Sequence, residues 1–145
     1  RNSFRDIFRQ LFEGGKADLV LDNEKDILDS GLEIVAQPPG KKLQHINLLS
    51  GGERAMTTIA FIFALFKVQP SPFYLLDEID APLDGVNISR FVHLLKSRSG
   101  EAQFIIITHN KQTIAEADVL YGITMEESGV SKVVSVKFSP EKTEA

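Results

Sequence analysis

At 145 residues and 43% apolar content, the chain is long enough for one domain with its own core and too short for two ordinary ones. A net charge of −4 provides no general attraction to nucleic acid, so any such contact must come from a local patch. The absence of cysteine excludes disulfides and thiolate metal sites and fits a reducing cytoplasm.

In chain order, Phe4, Ile7, Phe8, Leu11 and Phe12 predict a helix over 3–12 that reaches the domain from outside and ends at Gly14-Gly15. The chain opens on Arg1 within this pattern and is expected to be a piece of a longer protein; RNSFRDIFRQ does not read as a signal peptide. ADLVLD (17–22) and LEIVAQ (32–37) alternate on either side of the turn-rich NEKDILDSG and predict a small antiparallel sheet. QPPGKKLQHINLL (37–49) has no periodicity and reads as an ordered loop of functional length. It leads to a helix over about 53–68, apolar nearly all round and therefore buried on most faces, closed by Pro70 and Pro72. The apolar run within it, IAFIFALFKV, is interrupted at Lys67 and falls well short of the ~20 residues that cross a bilayer.

FYLLDEID (73–80) predicts a central parallel strand whose carboxyl end opens at a site. Ile88, Phe91, Val92, Leu94 and Leu95 form the inward face of a helix over 87–97. QFIIITH (103–109) is a second apolar strand ending in a polar residue, and a short helix follows over about 112–117. VLYGITME (119–126) and KVVSVKF (132–138) predict a terminal hairpin, and only SPEKTEA has the composition of a disordered tail. Helix, strand, helix, strand in the centre calls for a layered α/β sheet.

Three constellations bear on chemistry. HINLLSGGERAMTT (45–58) puts Gly51 and Gly52 at the start of the long helix, each about 1 kcal/mol worse than alanine if helical. Ser50 and Glu53 have the S-x-x-E spacing of a capping box, but a cap would work as well with alanines between them. Bare backbone at the positive end of a helix instead invites an anion, phosphate first.

Asp77, Glu78 and Asp80 end the apolar strand. Along an extended strand Asp77 and Glu78 point to opposite faces, which gives them different tasks: Asp77 to hold Mg²⁺, Glu78 to polarise water for attack on phosphate. The same D-E-x-D spacing also fits a solvated strand end or a cap for the next helix. His109 ends the second strand as Asp77 ends the first, and neighbouring strand ends of a doubly wound sheet share one crevice. His109 can thus face the phosphate that Asp77 and Glu78 serve, although a lone histidine is more often structural. His45 and His93 lack that context and read as surface residues. Lys41-Lys42 and Lys96/Arg98 are candidate contacts for DNA or a partner, or ordinary solvated charge.

The phosphate cradle that such a site needs is missing. G-x-x-x-x-G-K-[ST] has no match: Gly15-Lys16 is followed by Ala17 and Gly40-Lys41 by Lys42, with Gln10 and Val35 where the first glycine would stand. LLSGGERAMT, FYLLDEIDAPLD and IIITHN, in that order, resemble the C-terminal half of an ABC-type ATPase head. DEIDAPLD and AQPPGKK resemble SMC proteins of the bacterial type, the chromosome-organising ATPases, and the resemblance runs from about Phe4 to Phe138.

The resemblance implies an α/β fold: the C-terminal lobe of an ABC-type ATPase head, a mostly parallel sheet flanked by helices, with a small antiparallel sheet and a terminal hairpin. It divides the chain into the end of a coiled-coil helix (1–13), the head lobe (14–138) and a flexible tail (139–145). Ser50, Gly51 and Gly52, completed by Glu53 and Arg54, would bind the γ-phosphate of ATP held on the P-loop of a second head. Asp77 would support Mg²⁺ and Glu78 would act as general base. Asp84 would be the D-loop residue touching the partner head, and His109 would sense the γ-phosphate.

The N-terminal half of the same head would bring the P-loop, the adenine contacts and the glutamine that links Mg²⁺ to the water. The other implied partners are a second SMC head in a homodimer, a kleisin subunit received near the 119–138 hairpin, and DNA. ATP binding would close the dimer and hydrolysis open it, in the cytoplasm at the nucleoid, for chromosome condensation and segregation. LSGGER and DEID, where transporters carry LSGGQ and a proline after the DE pair, speak against transport. A DNA-repair relative, or a kleisin or DNA docking module inactive in isolation, are the alternatives.

Overall fold

The computed structural model describes residues 1–23 and 25–137; Phe138 and the predicted tail over 139–145 lie outside the described residues. The chain divides into two compact units, Arg1–His109 and the residues from Asn110 on.

The first unit opens with α1 (Asn2–Phe12), whose Phe4, Ile7, Phe8, Leu11 and Phe12 are all buried. The helix expected to arrive from outside is therefore one wall of the core. Left-handed backbone at Glu13 (φ 55°) ends it, with Gly14 donating to the Arg9 carbonyl at 3.0 Å. Gly15 (φ +73°) has no room for a side chain, since a Cβ there would stand 2.4 Å from the Gln37 carbonyl oxygen. That close approach sets the chain into β1 (Lys16–Leu21), paired antiparallel with β2 (Leu32–Gln37) from Lys16 opposite Gln37 to Leu21 opposite Leu32.

Arg1 and Arg5 of the helix end both grip Asp18 of β1, with Arg1 Nε 2.6 Å from Oδ1. Their hydrogen bonds, Arg1's first, hold the Asp18 carboxyl well below the usual carboxylate range despite the opposing pull of partial burial.

The loop over 37–49 contains two short elements that periodicity does not reveal. β3 (Gln44–His45) adds a third strand to the antiparallel sheet beside β2, and a single 3₁₀ turn covers Ile46–Leu48. His45 accepts from the Asn47 N–H at 3.2 Å and is half-buried, so it caps that turn and is not a plain surface residue.

α2 (Gly51–Val68) begins two residues earlier than its apolar pattern suggests, so both glycines lie in its first turn. Met56, Thr57, Ile59, Ala60, Phe63 and Ala64 are buried, whereas Leu65 and Val68 are 52% and 72% exposed. Burial on most faces is thus limited by an open end. Phe61 meets Phe4 of α1 edge-on at 6.0 Å, while Phe63 meets Phe91 at 6.4 Å and stacks on Phe104 at 5.9 Å. Phe4→Ala is expected to destabilise the fold by about 3–5 kcal/mol, read as a lowered urea midpoint. A loss under ~1 kcal/mol would mean that α1 is dispensable to this core.

β4 (Phe73–Asp77), α3 (Gly85–Arg98) and β5 (Gln103–Ile107) form one βαβ unit, with the strands parallel from Phe73 opposite Gln103 to Asp77 opposite Ile107. The five inward residues expected of α3 are all buried. The strands depart from the expectation of a central sheet covered on both faces. Leu76 is buried and Phe104 and Ile106 pack on the core, but Phe73 (57%), Leu75 (60%), Ile105 (45%) and Ile107 (50%) lie exposed on the other side. The parallel part of this mixed α/β fold is these two strands, and the other described sheets are antiparallel.

The second unit holds α4 (Lys111–Ala115), capped by Asn110 accepting from the Gln112 N–H at 2.9 Å. β6 (Val119–Glu127) and β7 (Val130–Lys137) make an antiparallel hairpin that turns at Gly129 (φ 82°). Tyr121, Ile123 and Val133 on it are exposed. Among the described residues no helix is long and apolar enough to cross a membrane.

Candidate functional site

The predicted site residues fall into two clusters. In the first, the parallel pairing of β4 and β5 brings their carboxyl ends side by side. Asp77 is the last residue of β4 and is exposed. The extended backbone stops there, because Glu78 adopts a left-handed φ of 47° while its N–H donates to the Ile107 carbonyl at 2.9 Å. Strand alternation therefore does not govern Glu78. Its Oε1 lies 3.9 Å from His109 Nδ1, both side chains open to solvent. A non-glycine residue in this region costs about 1–2 kcal/mol, and such conformations concentrate at functional sites.

Asp80 is neither a solvated strand end nor a helix cap. It is 1% exposed, and both its carboxylate oxygens accept from Thr108 Oγ1, at 3.0 and 2.8 Å. A buried carboxylate needs such partners, and this one ties the loop after β4 to the residue before His109. Thr108 lies inside the IIITHN motif, but the sequence assigns it no task; it stands there as a hydroxyl between the apolar QFIII and His109.

In the second cluster a capping box joins Ser50 and Glu53 at the start of α2. The Ser50 N–H donates to Glu53 Oε2 at 3.1 Å, and the Ser50 hydroxyl donates to the same oxygen at 2.8 Å. Lys41 Nζ lies 2.7 Å from Oε1 and 2.9 Å from Oε2 of Glu53. Burial pushes the Glu53 carboxyl up, but Lys41 and Ser50 together outweigh it and leave the group below its ordinary value. Lys41, read from sequence as a contact for DNA or a partner, is thus engaged within the chain; Arg98 likewise pairs with Glu101 at 3.3 Å. Arg54 turns back to donate to the carbonyls of Asn47 (3.1 Å) and Leu49 (3.4 Å), bracing the turn that precedes Ser50.

A Cβ on Gly51 would meet no other element within 4 Å, so packing among the described residues does not demand a bare backbone there. A Cβ on Gly52 would come to 3.8 Å from Pro82 O and Asn87 Nδ2. The first turn of α2 therefore lies beside the APLD turn and the start of α3. Asp84 caps α3 by accepting from the Asn87 N–H at 2.9 Å, a structural task additional to the one its motif suggests.

These residues fit a nucleotide phosphate and its metal in part. The open space over Gly51, at the N-terminus of α2, suits a phosphate. Among the described residues no three His, Cys, Asp or Glu side chains converge to hold a metal, so Asp77 fits as one contributor to a Mg²⁺ site and not as a whole one.

Residues 2–132 match the family model described as the RecF/RecN/SMC N terminal domain. The chain is 59% identical over 142 residues to the chromosome partition protein Smc of Bacillus subtilis (strain 168), a match covering 98% of this chain and 12% of that protein. It is 57% identical over 136 residues to the Smc protein of Halothermothrix orenii, again over 12% of that protein's length. The chain thus spans a small part of the curated relatives it matches. Among solved structures, an SMC ATPase studied for ATP-driven dimerization and DNA-stimulated activation superposes with a TM-score of 0.85 at 47% identity, over 94% of this chain and 82% of that one. An Smc head bound to the C-winged helix domain of ScpA superposes at 0.84 and 48% identity, over 94% of this chain and 41% of that one. With its parallel β4–β5 pair, its LSGGER helix and a family match over nearly its whole length, the chain belongs to the RecF/RecN/SMC family.

Proposed function

We propose that this chain is the half of an SMC ATPase head that brings the signature loop, the acidic strand end and the switch histidine, and that hydrolysis of ATP requires a P-loop from outside it. The observation that carries the proposal is the nearness of Glu78 and His109, 3.9 Å apart at neighbouring strand ends, in a sequence with no P-loop pattern. The exposed side of β4–β5, where Leu75, Ile105 and Ile107 stand open, supports a missing neighbour of apolar character, the N-terminal half of the same head.

In this reading Asp77 would contribute to holding Mg²⁺, which supplies positive charge against the phosphates. Glu78 accepts the proton of the attacking water, and His109 beside it orients that water and senses the terminal phosphate. Ser50, Gly51 and Gly52, braced by Glu53 and Arg54, present hydroxyl and backbone N–H groups to the γ-phosphate of ATP held by a second head. Asp84, at the neighbouring helix start, faces the same partner. ATP would then close a head dimer and its loss would open it, in the cytoplasm at the nucleoid, in service of chromosome segregation and condensation through DNA. α1 would continue into a coiled-coil arm. Binding of ScpA's winged-helix domain by a relative's head supports a kleisin partner here, and we assign its surface to the exposed β6–β7 hairpin.

The purified chain should hydrolyse no ATP alone and gain hydrolysis when mixed or fused with a P-loop-bearing N-terminal half. Robust turnover by the isolated chain would overturn the half-site reading.

A further inference from the structure

We propose that Lys41 is a positioning residue of the signature loop: it neutralises Glu53 and so keeps Ser50 and the first turn of α2 receptive to phosphate. The inference rests on the assignment of Ser50–Gly52 to the nucleotide. Neither the capping box nor the signature wording accounts for Lys41, which lies twelve residues away from Glu53 in the AQPPGKK loop and yet reaches both oxygens of its carboxylate, at 2.7 and 2.9 Å.

The capping box has a drawback at a site meant for an anion. The carboxylate that accepts from the Ser50 N–H also accepts from the Ser50 hydroxyl and sets a full negative charge next to the surface that phosphate must approach. Glu53 is only 19% exposed, so water screens that charge poorly. Lys41 cancels it. When the Ser50 hydroxyl turns from Glu53 to an incoming phosphate oxygen, the carboxylate keeps the Ser50 N–H on Oε2 and Lys41 on both oxygens, and Lys41 is the charged one of these partners. Gln37 secures the lysine from behind, its amide donating to the Lys41 carbonyl at 2.9 Å. The lysine-bearing loop is thus tied both to β2 and to α2.

The test uses the head reconstituted with its P-loop half, comparing Lys41→Met, Lys41→Arg and the double variant Lys41→Met/Glu53→Gln. ATP-dependent head association is followed by sedimentation, and the Glu53 carboxyl is titrated by NMR without nucleotide. Lys41→Met is expected to raise the ATP concentration for half-maximal association about tenfold and to raise the Glu53 pKa. Lys41→Arg should restore much of the association. The double variant should recover it too, because the charge that needed neutralising is gone. Unchanged association in Lys41→Met, or a loss that Glu53→Gln does not repair, would overturn the proposal; the second result would mean that the lysine meets phosphate or DNA directly. If the wild-type head associated with ATP no better than its Ser50→Arg variant, the nucleotide assignment itself would fail, and with it the role of Lys41.

Discussion

Glu78→Gln should lower ATP turnover by the reconstituted head about 10²–10⁴-fold, the usual worth of a positioned general base, while leaving ATP-dependent dimerisation intact. Glutamine keeps the shape and hydrogen-bonding reach of glutamate but cannot take the proton of the attacking water. The backbone at this position is left-handed, and the Ile107 carbonyl anchors the N–H at 2.9 Å, so the replacement has no reason to move. The product would be a head dimer that forms with ATP and does not reopen. Burst-phase and steady-state phosphate release, measured beside light scattering, separate the two effects. Turnover within ~3-fold of wild type would remove Glu78 from the role of base.

Ser50→Arg should have the opposite signature, losing association and hydrolysis together. The hydroxyl at the N-terminus of α2 is replaced by a long cation beside Gly51, where an added Cβ would meet no other element among the described residues within 4 Å. Removing a preorganised donor to a developing or bound oxyanion costs about 10²–10³-fold, and blocking approach adds to that. The fold should survive, since Ser50 is exposed and the loss of a helix cap costs only about 1 kcal/mol. An Ser50→Arg head that still dimerises with ATP would separate this loop from the nucleotide.

The elements that sequence reasoning reads well are those with a strong apolar period. The inward residues of α1 and α3 are buried as expected, and β2 covers Leu32–Gln37 as predicted. What it misreads has identifiable causes. β3 is only two residues long, too short for any period to register. The first turn of α2 hides behind glycines whose low helix propensity is overruled by the cap. The openness of β4–β5 is invisible because a run such as FYLL is equally apolar whether its cover comes from the same chain or another.

The site shows the same division. The motifs mark Ser50 and Asp84, which cap helices, and Glu78 and His109, which follow the strands β4 and β5 by one and two residues. The supporting contacts, Thr108 to Asp80 and Lys41 to Glu53, join residues distant in sequence and need coordinates to be seen.

The aromatic contacts of α2 have a mechanical consequence. Phe61 bears on Phe4 of α1 and, two residues on, Phe63 bears on Phe104 of β5, so one helix is clamped between α1 and the β4–β5 sheet. Close-packed rings do not yield to small forces. The helix that begins at Ser50 is thus fixed on two sides at once, by α1 and by the strand that leads toward His109, and its first turn has a rigid mount.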